Sequence, residues 1–188
     1  MEPSGKARVR DGVRAALDGM NGQERLRRAA RLPKRLEQLP DMRGRRGALM
    51  GYLAFGNELD VSGAFWVAWS YGRAVCVPAT DWDAATITPV AYTPGAVIER
   101  VRHGVPEPAD KVPVPIDRIG VVLVPGVAFT KDGHRLGRGG GFYDRFLETL
   151  LALGASRPVF VGVCYEEQVV HSLPTEAHDV PMDTVIAV

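Results

Sequence analysis

Apolar side chains recur at intervals of three and four through residues 5–19 ("VRDGVRAALDGM") and again through 22–38 ("QERLRRAARLPKRLEQL"), the mark of helices with one buried face. Asn21 stands where it can cap the second helix. Pro33 predicts a kink or break inside it, because a proline within a helix removes a backbone donor and crowds the preceding turn. After residue 46 the pattern changes. Short apolar runs at 48–55, 73–78, 86–92, 119–127, 158–165 and 183–188 have the length and β-branched content of buried strands. Between them, "ELDVSGAFWVAWSYG" and "GFYDRFLETLLALG" return to a helical period and end at glycine. Strands alternating with helices predict a layered α/β domain with a largely parallel sheet, preceded by a helical N-terminal segment. The stretch "VRHGVPEPADKVPVPIDR" at 101–118 is rich in proline and charge and reads as an extended loop crossing the surface of one domain, residues 1–188.

Composition narrows the class without naming a function. With 46% hydrophobic and 24% charged residues the chain is that of an ordinary globular protein, and no apolar run is long enough to cross a bilayer. The start "MEPSGKARVRDGVRAAL" lacks the apolar core of an export signal, so the cytoplasm is the expected compartment. Cys76 and Cys164 each sit inside an apolar run, without the spacing of a redox pair or the companions of a zinc site, and are expected to be buried thiols. The net charge of +1 hides an asymmetry: residues 1–46 carry +7 and the remainder −6. A basic end invites an anion. Nucleic acid is a poor fit, because this segment lacks aromatics interleaved with the cations; a solvated helical face, or a site for phosphates or carboxylates, fits better.

The chemistry concentrates in "RLGRGGGFYD", residues 135–144. It follows the apolar strand ending near Phe129 and opens a helix. In open α/β sheets ligands collect at the carboxyl ends of strands, and a helix N-terminus there offers unpaired N–H groups and partial positive charge. Glycines let the backbone approach phosphate oxygens, and Arg135 and Arg138 can bind the same oxygens bidentately. A plain glycine turn with solvated arginines is the alternative, but Gly137, Gly139, Gly140 and Gly141 exceed what a turn needs. Neither a P-loop nor the Rossmann glycine fingerprint matches. Asp144, in the first turn of the helix, gains from the macrodipole in any case and is also where a carboxylate could hold Mg²⁺ beside a phosphate; Asp179 in "HDVPMD" is an even choice between turn chemistry and a second such contact. His103, His134, His171 and His178 are scattered and take no catalytic assignment.

The pattern "VPGVAFTKDGHRLGRGGGFYDRFL", followed by "VGVCYEEQVVHSLPTEAHDVPMDTVIAV", resembles the 5-formyltetrahydrofolate cyclo-ligases, also called 5,10-methenyltetrahydrofolate synthetases. "YLAFGNELDV", "GRAVCVP", "GVPEP" and "KARVRDGVRAALDGMNGQERLRRA" extend the likeness over nearly the whole chain. The resemblance implies a Rossmann-like three-layer α/β/α fold and the closure of 5-formyltetrahydrofolate to 5,10-methenyltetrahydrofolate at the expense of ATP, with Mg²⁺. It carries ATP contacts onto Lys6, Arg10 and the run Arg135, Leu136, Gly137, Arg138, Gly139, Gly140, Gly141, Phe142 and Tyr143, and metal contacts onto Asp144 and Asp179. Folate contacts fall on Leu53, Glu58 and residues 138–142. Arg138 and Tyr143 are the expected catalytic groups, Tyr143 lying nearest the transferred phosphoryl. The implied partner is the folate, polyglutamylated or not, bound by a monomer without nucleic acid or membrane. Relatives differ at Gly140 (lysine in some), Phe142 (tyrosine in some) and Val61 (usually threonine), and some have aromatics at Thr80 and His103. A non-catalytic folate- or nucleotide-binding module on the same fold is the competing expectation.

Overall fold

The computed structural model describes residues 5–44, 47–176 and 179–188. The N-terminal segment forms α1 (Gly5–Asp18), α2 (Gly22–Ala29), α3 (Leu32–Leu36) and α4 (Pro40–Gly44). Asn21 caps α2, its Oδ1 accepting the Glu24 N–H at 2.9 Å. The break expected at Pro33 is present: Pro33 lies in the first turn of a new helix, where its missing donor costs nothing.

The remaining elements are β1 (Ala48–Met50), α5 (Ser62–Ser70), β2 (Val75–Asp81), β3 (Thr86–Tyr92), β4 (Ile98–Arg100), β5 (Pro106–Pro108), β6 (Ile119–Val124), β7 (Ala128–Phe129), β8 (Arg135–Leu136), α6 (Phe142–Leu151), β9 (Val159–Cys164) and β10 (Thr184–Ala187). The main sheet runs β10-β9-β6-β1-β2-β3, parallel throughout except for β3, which folds back antiparallel on β2. Side chains alternate between its faces. Leu49, Val121, Leu123, Val161 and Val163 face one core with Val13 and Leu17 of α1, Leu32 and Leu36 of α3 and Phe65 of α5. Ala48, Met50, Val122, Val124 and Phe160 face the other core with Phe146, Leu147 and Leu150 of α6. Helices on both faces make three α/β/α layers, as expected, and explain why β6 reads as an unbroken apolar run rather than an alternating one. Cys76 and Cys164 are buried free thiols in the α6-side core, and burial pushes each up to about 12.

Three local readings change. The strand expected over 48–55 ends at Met50, and the helix expected from Glu58 begins only at Ser62. The chain between them is a loop, fastened by the Tyr52 hydroxyl donating to Leu59 O (2.9 Å) and by the Phe55 N–H donating to Glu58 Oε2 (3.0 Å). Within 101–118 there is more order than a plain connection: β5 pairs antiparallel with β4, and Val112 and Val114 exchange backbone hydrogen bonds of 2.8 Å with Ala91 and Pro89 on the outer edge of β3. Pro89 itself sits in β3, the edge strand, where its missing donor is tolerated. No helix among the described residues is long and apolar enough to cross a membrane.

Candidate active site

From β1 the chain moves outward to β2 and β3, then crosses back to β6 on the other side of β1 and continues through β9 to β10. The strand order therefore reverses between β1 and β6, and the loops leaving their carboxyl ends diverge to open a crevice. Tyr52 and Leu53 leave β1 on one side of it; Pro125 and Gly126 leave β6 on the other. The β7–β8 hairpin follows β6 and delivers residues 135–144 across the opening. Gly139 (φ 105°) and Gly141 (φ 68°) hold left-handed backbone that a side chain would strain, and Gly141 directly precedes α6.

Two cavities meet here. One, of about 330 Å³, is mostly apolar, with Leu53, Phe55, Trp82, Phe142 and Tyr143 among its lining residues. The other, of about 430 Å³, is basic, lined by Arg10, Arg14, Arg138, Asn57 and Gln168 among others. Arg138, Glu58 and Gly126 belong to both linings and form their common wall. Arg138 is tied there by an ion pair to Glu58 (3.0 Å), by donation to Phe55 O (2.8 Å) and by lying over the Phe55 ring. Arg10 reaches from α1 to donate to Gly137 O at 3.0 Å, so α1 and the glycine loop are held together. Gln168 donates to Gly126 O (2.7 Å) and Val127 O (3.1 Å), fixing the loop after β6.

Most of the residues singled out in the sequence converge on this crevice. Leu53, Glu58, Arg135, Gly137, Arg138, Gly140, Gly141, Phe142, Tyr143 and Asp144 line the apolar cavity, and Arg10 lines the basic one. Leu136 points into the α1-side core instead. Gly139 lines neither cavity but lies close to the Arg10 guanidinium. Lys6 pairs with Glu176 (2.9 Å) and lies 3.8 Å from Asp179, whose Oδ2 also accepts the Glu176 N–H. Asp144 pairs through Oδ1 with Arg135, whose side chain is almost wholly buried. Among the described residues no three carboxylate, histidine or cysteine groups gather into a metal cluster. One or two carboxylates are what Mg²⁺ bound to a polyphosphate requires, and Asp144, part exposed and with one oxygen taken by Arg135, has a second oxygen to offer. Asp144 fits that ion at the crevice, whereas Lys6 and Asp179 line neither cavity.

Phe55, Trp82 and Arg14 were missed. Trp82 sits in the β2–β3 turn, edge-on to Phe142 (5.2 Å between ring centres) and to His103 (5.1 Å). Its indole N–H is buried without a hydrogen-bond partner among the described residues. The sequence signal was a lone aromatic in a polar turn, "TDWDAAT"; that of Arg14 was its place one turn beyond Arg10 on α1. The departures at 140 and 142 prove to be one feature: a Cβ on Gly140 would stand 2.9 Å from the Phe142 ring, so a side chain at 140 requires the ring to move. His178 lies outside the described residues.

Burial sets the protonation chemistry. It lifts the Glu58 carboxyl above its ordinary value, opposed by the neighbouring Arg138 charge and by the hydrogen bonds from Phe55 and Arg138. It lifts the Tyr143 phenol further, helped by the Glu58 charge and opposed by Arg135. Tyr143 therefore stays a neutral donor, and its hydroxyl has no hydrogen-bond partner among the described residues. The crevice thus offers a cationic compartment, an aromatic compartment and a charge pair at their junction.

Residues 2–188 match the sequence model of the 5-formyltetrahydrofolate cyclo-ligase family. The 5-formyltetrahydrofolate cyclo-ligase of Escherichia coli K12 is 33% identical over 138 residues, 72% of this chain and 74% of its own length. The mouse enzyme is 21% identical over 190 residues, covering 97% and 93%. An NMR structure of the Aquifex aeolicus 5,10-methenyltetrahydrofolate synthetase superposes with a TM-score of 0.78 at 26% identity, over 97% of this chain and 89% of that one. A family match over nearly every residue, with the fold and the crevice to go with it, places this chain in the 5-formyltetrahydrofolate cyclo-ligase family.

Proposed function

We propose that the protein converts 5-formyltetrahydrofolate, with or without added glutamates, to 5,10-methenyltetrahydrofolate, consuming ATP in the presence of Mg²⁺ and releasing ADP and phosphate. The observation that carries this reading is the wall shared by the two cavities: Arg138 faces a basic compartment sized for a polyphosphate and an aromatic compartment suited to a pterin. A reaction that moves a phosphoryl group from one ligand to the other needs such a junction.

The chemistry follows from the poor leaving ability of a formamide oxygen. That oxygen attacks the γ-phosphorus and the bond to ADP breaks. The N10 amine then adds to the formyl carbon and loses its proton, and the carbon–oxygen bond breaks with phosphate as the leaving group. Phosphoryl transfer asks mainly for positioning and charge neutralisation. Lys6, Arg10 and the main-chain amides of residues 135–143 bind the triphosphate, and Arg138 neutralises charge on the group in flight. Asp144 and Asp179 would hold Mg²⁺, which would supply further charge neutralisation. Glu58 accepts from the donor-rich edge of the pterin, Leu53 packs against its ring, and Tyr143 offers its free hydroxyl close to the transferred group.

Incubation with ATP, Mg²⁺ and 5-formyltetrahydrofolate is expected to give the near-ultraviolet absorbance of the methenyl product. A folded sample that binds both ligands and forms none would instead make the protein a binding module.

A further inference from the structure

Strand β2 outruns β1. The β1 ladder reaches only Val75 and Cys76, so the β1-facing edge of β2 near Pro78 and Thr80 has no strand beside it. Pro78 has no N–H to satisfy. Thr80 has one, and a part-buried amide needs a partner. Glu107 of β5 provides it: Oε1 accepts the Thr80 N–H at 2.8 Å, Oε2 lies 2.7 Å from Lys111 Nζ, and the carboxylate is 1% exposed. A side chain thus stands where the next strand would have been, and it joins the β4–β5 hairpin to the main sheet.

The tip of that hairpin, residues 101–105, lies on the cavity. His103 and Val105, with Pro106 at the start of β5, line the apolar compartment. The tip is not relaxed backbone: His103 has φ 60°, rare for a residue other than glycine, and Gly104 follows at 76°. Such a conformation persists only where its surroundings hold it. Internal bonds do part of this, Arg100 donating to Gly104 O and the Val101 N–H to Val105 O, both at 2.9 Å. They shape the tip without placing it against β2; beyond the end of that strand the Trp82 ring meets the tip, edge-on to His103 and 5.7 Å from the Arg102 guanidinium carbon, and leaves the strand edge itself to Glu107.

We infer that Glu107 is a positioning residue, fastening the hairpin tip as one wall of the substrate cavity, with Lys111 as its counter-charge. The identity of that substrate rests on the function proposed above; the tether itself does not. In steady-state kinetics Glu107→Ala raises the KM for 5-formyltetrahydrofolate about tenfold, while kcat and the KM for ATP stay within about twofold. Glu107→Gln keeps an acceptor for the Thr80 N–H and restores most of the folate KM. Lys111→Met, which leaves a buried carboxylate without its cation, falls between the two. Amide hydrogen exchange in the ligand-free protein reads the tether directly, with Thr80 and residues 101–105 exchanging faster in Glu107→Ala than in the unsubstituted chain.

A parallel rise in both KM values, a lowered Tm with both unchanged, or unaltered exchange at Thr80 overturns the inference. Should Glu107→Ala fail to fold, Lys111→Met decides on the same readouts, and an unchanged folate KM and tip exchange in that variant overturns it equally. If the unsubstituted protein forms no methenyl product, the folate reading falls, and exchange alone then rules on the tether.

Discussion

The basic cavity is walled by Arg10, Arg14 and Arg138 with the amides of Asn57 and Gln168, whereas the apolar cavity is walled by rings and prolines, with Glu58 at its inner edge. They also differ in how they are held before any ligand arrives. Arg10 and Arg138 already donate to protein carbonyls, so a ligand entering the basic side meets guanidinium groups held in place that have further N–H donors to offer. The rings of the apolar side touch one another edge-on and leave a polar atom, the Trp82 N–H, unpaired. One compartment is specified by charge and the other by shape. Substitutions should therefore separate: loss of a group that meets the triphosphate or its metal should strike the chemical step, and loss of a group that meets only the pterin should strike only affinity for the folate.

The sharpest break of that comparison is Arg138→Ala. Removing a donor that stabilises charge in a transition state lowers turnover by about 10²–10³-fold. The side chain is half exposed, so its loss should change stability by less than about 1 kcal/mol. Turnover measured beside a thermal melt checks both, and equal losses would make the residue structural. Next comes Asp144→Asn. It should cost about a hundredfold in turnover and, by calorimetry, abolish the gain in nucleotide affinity that Mg²⁺ provides.

Glu58→Gln crosses the comparison, since this residue belongs to both linings. It should raise the folate KM about tenfold and leave nucleotide affinity unchanged. Its pH dependence carries a sign. Burial raises this carboxyl above its ordinary value of 4.5, so as pH falls it loses its charge, and the folate a charged acceptor, earlier than an exposed acid would. The acid limb of kcat/KM for the folate should therefore lie above that value and disappear in Glu58→Gln. For stability the raised value works in the opposite sense: between the ordinary and the raised value the unfolded chain releases this proton first. The contribution of Glu58 therefore declines as pH rises through that window, and the variant should lack the decline. The smallest effect is expected from Trp82→Leu, a rise of about fivefold in the folate KM, the scale of one lost aromatic contact, with kcat and nucleotide affinity unchanged.

The same contrast explains what could be read from the chain alone. The glycine loop was legible because its residues are adjacent and no other element needs glycines and arginines in that order. The three layers were legible because a strand buried on both faces, such as β6, leaves an uninterrupted apolar run. The aromatic compartment was not. Phe55, Trp82, His103 and Phe142 come from four separate segments, and nothing local marks Trp82 as more than a ring in a turn. The hairpin that runs into 101–118 was hidden for a related reason: its anchors are long-range contacts, among them the Thr80 N–H donating to Glu107 and His103 meeting Trp82, and its prolines obscure the alternation that announces a strand. The loop over 51–61 misled because Tyr52, Leu53 and Phe55 prolong the apolar run of β1 and Leu59 and Val61 fall in step with the helix beyond, while Tyr52 and Glu58 bond back onto the loop.

One of the two outer strands of the main sheet, β3, has Val112 and Val114 lying along its outer side, with Pro113 between them. A sheet margin left bare is a template for recruiting strands from neighbouring molecules. Here the chain has spent part of its own connecting segment to blunt that margin, and a proline in each of the two facing stretches leaves a foreign strand fewer amides to grip. Weakening the attachment of Val112 and Val114 should therefore show as clumping at high concentration before it shows in turnover.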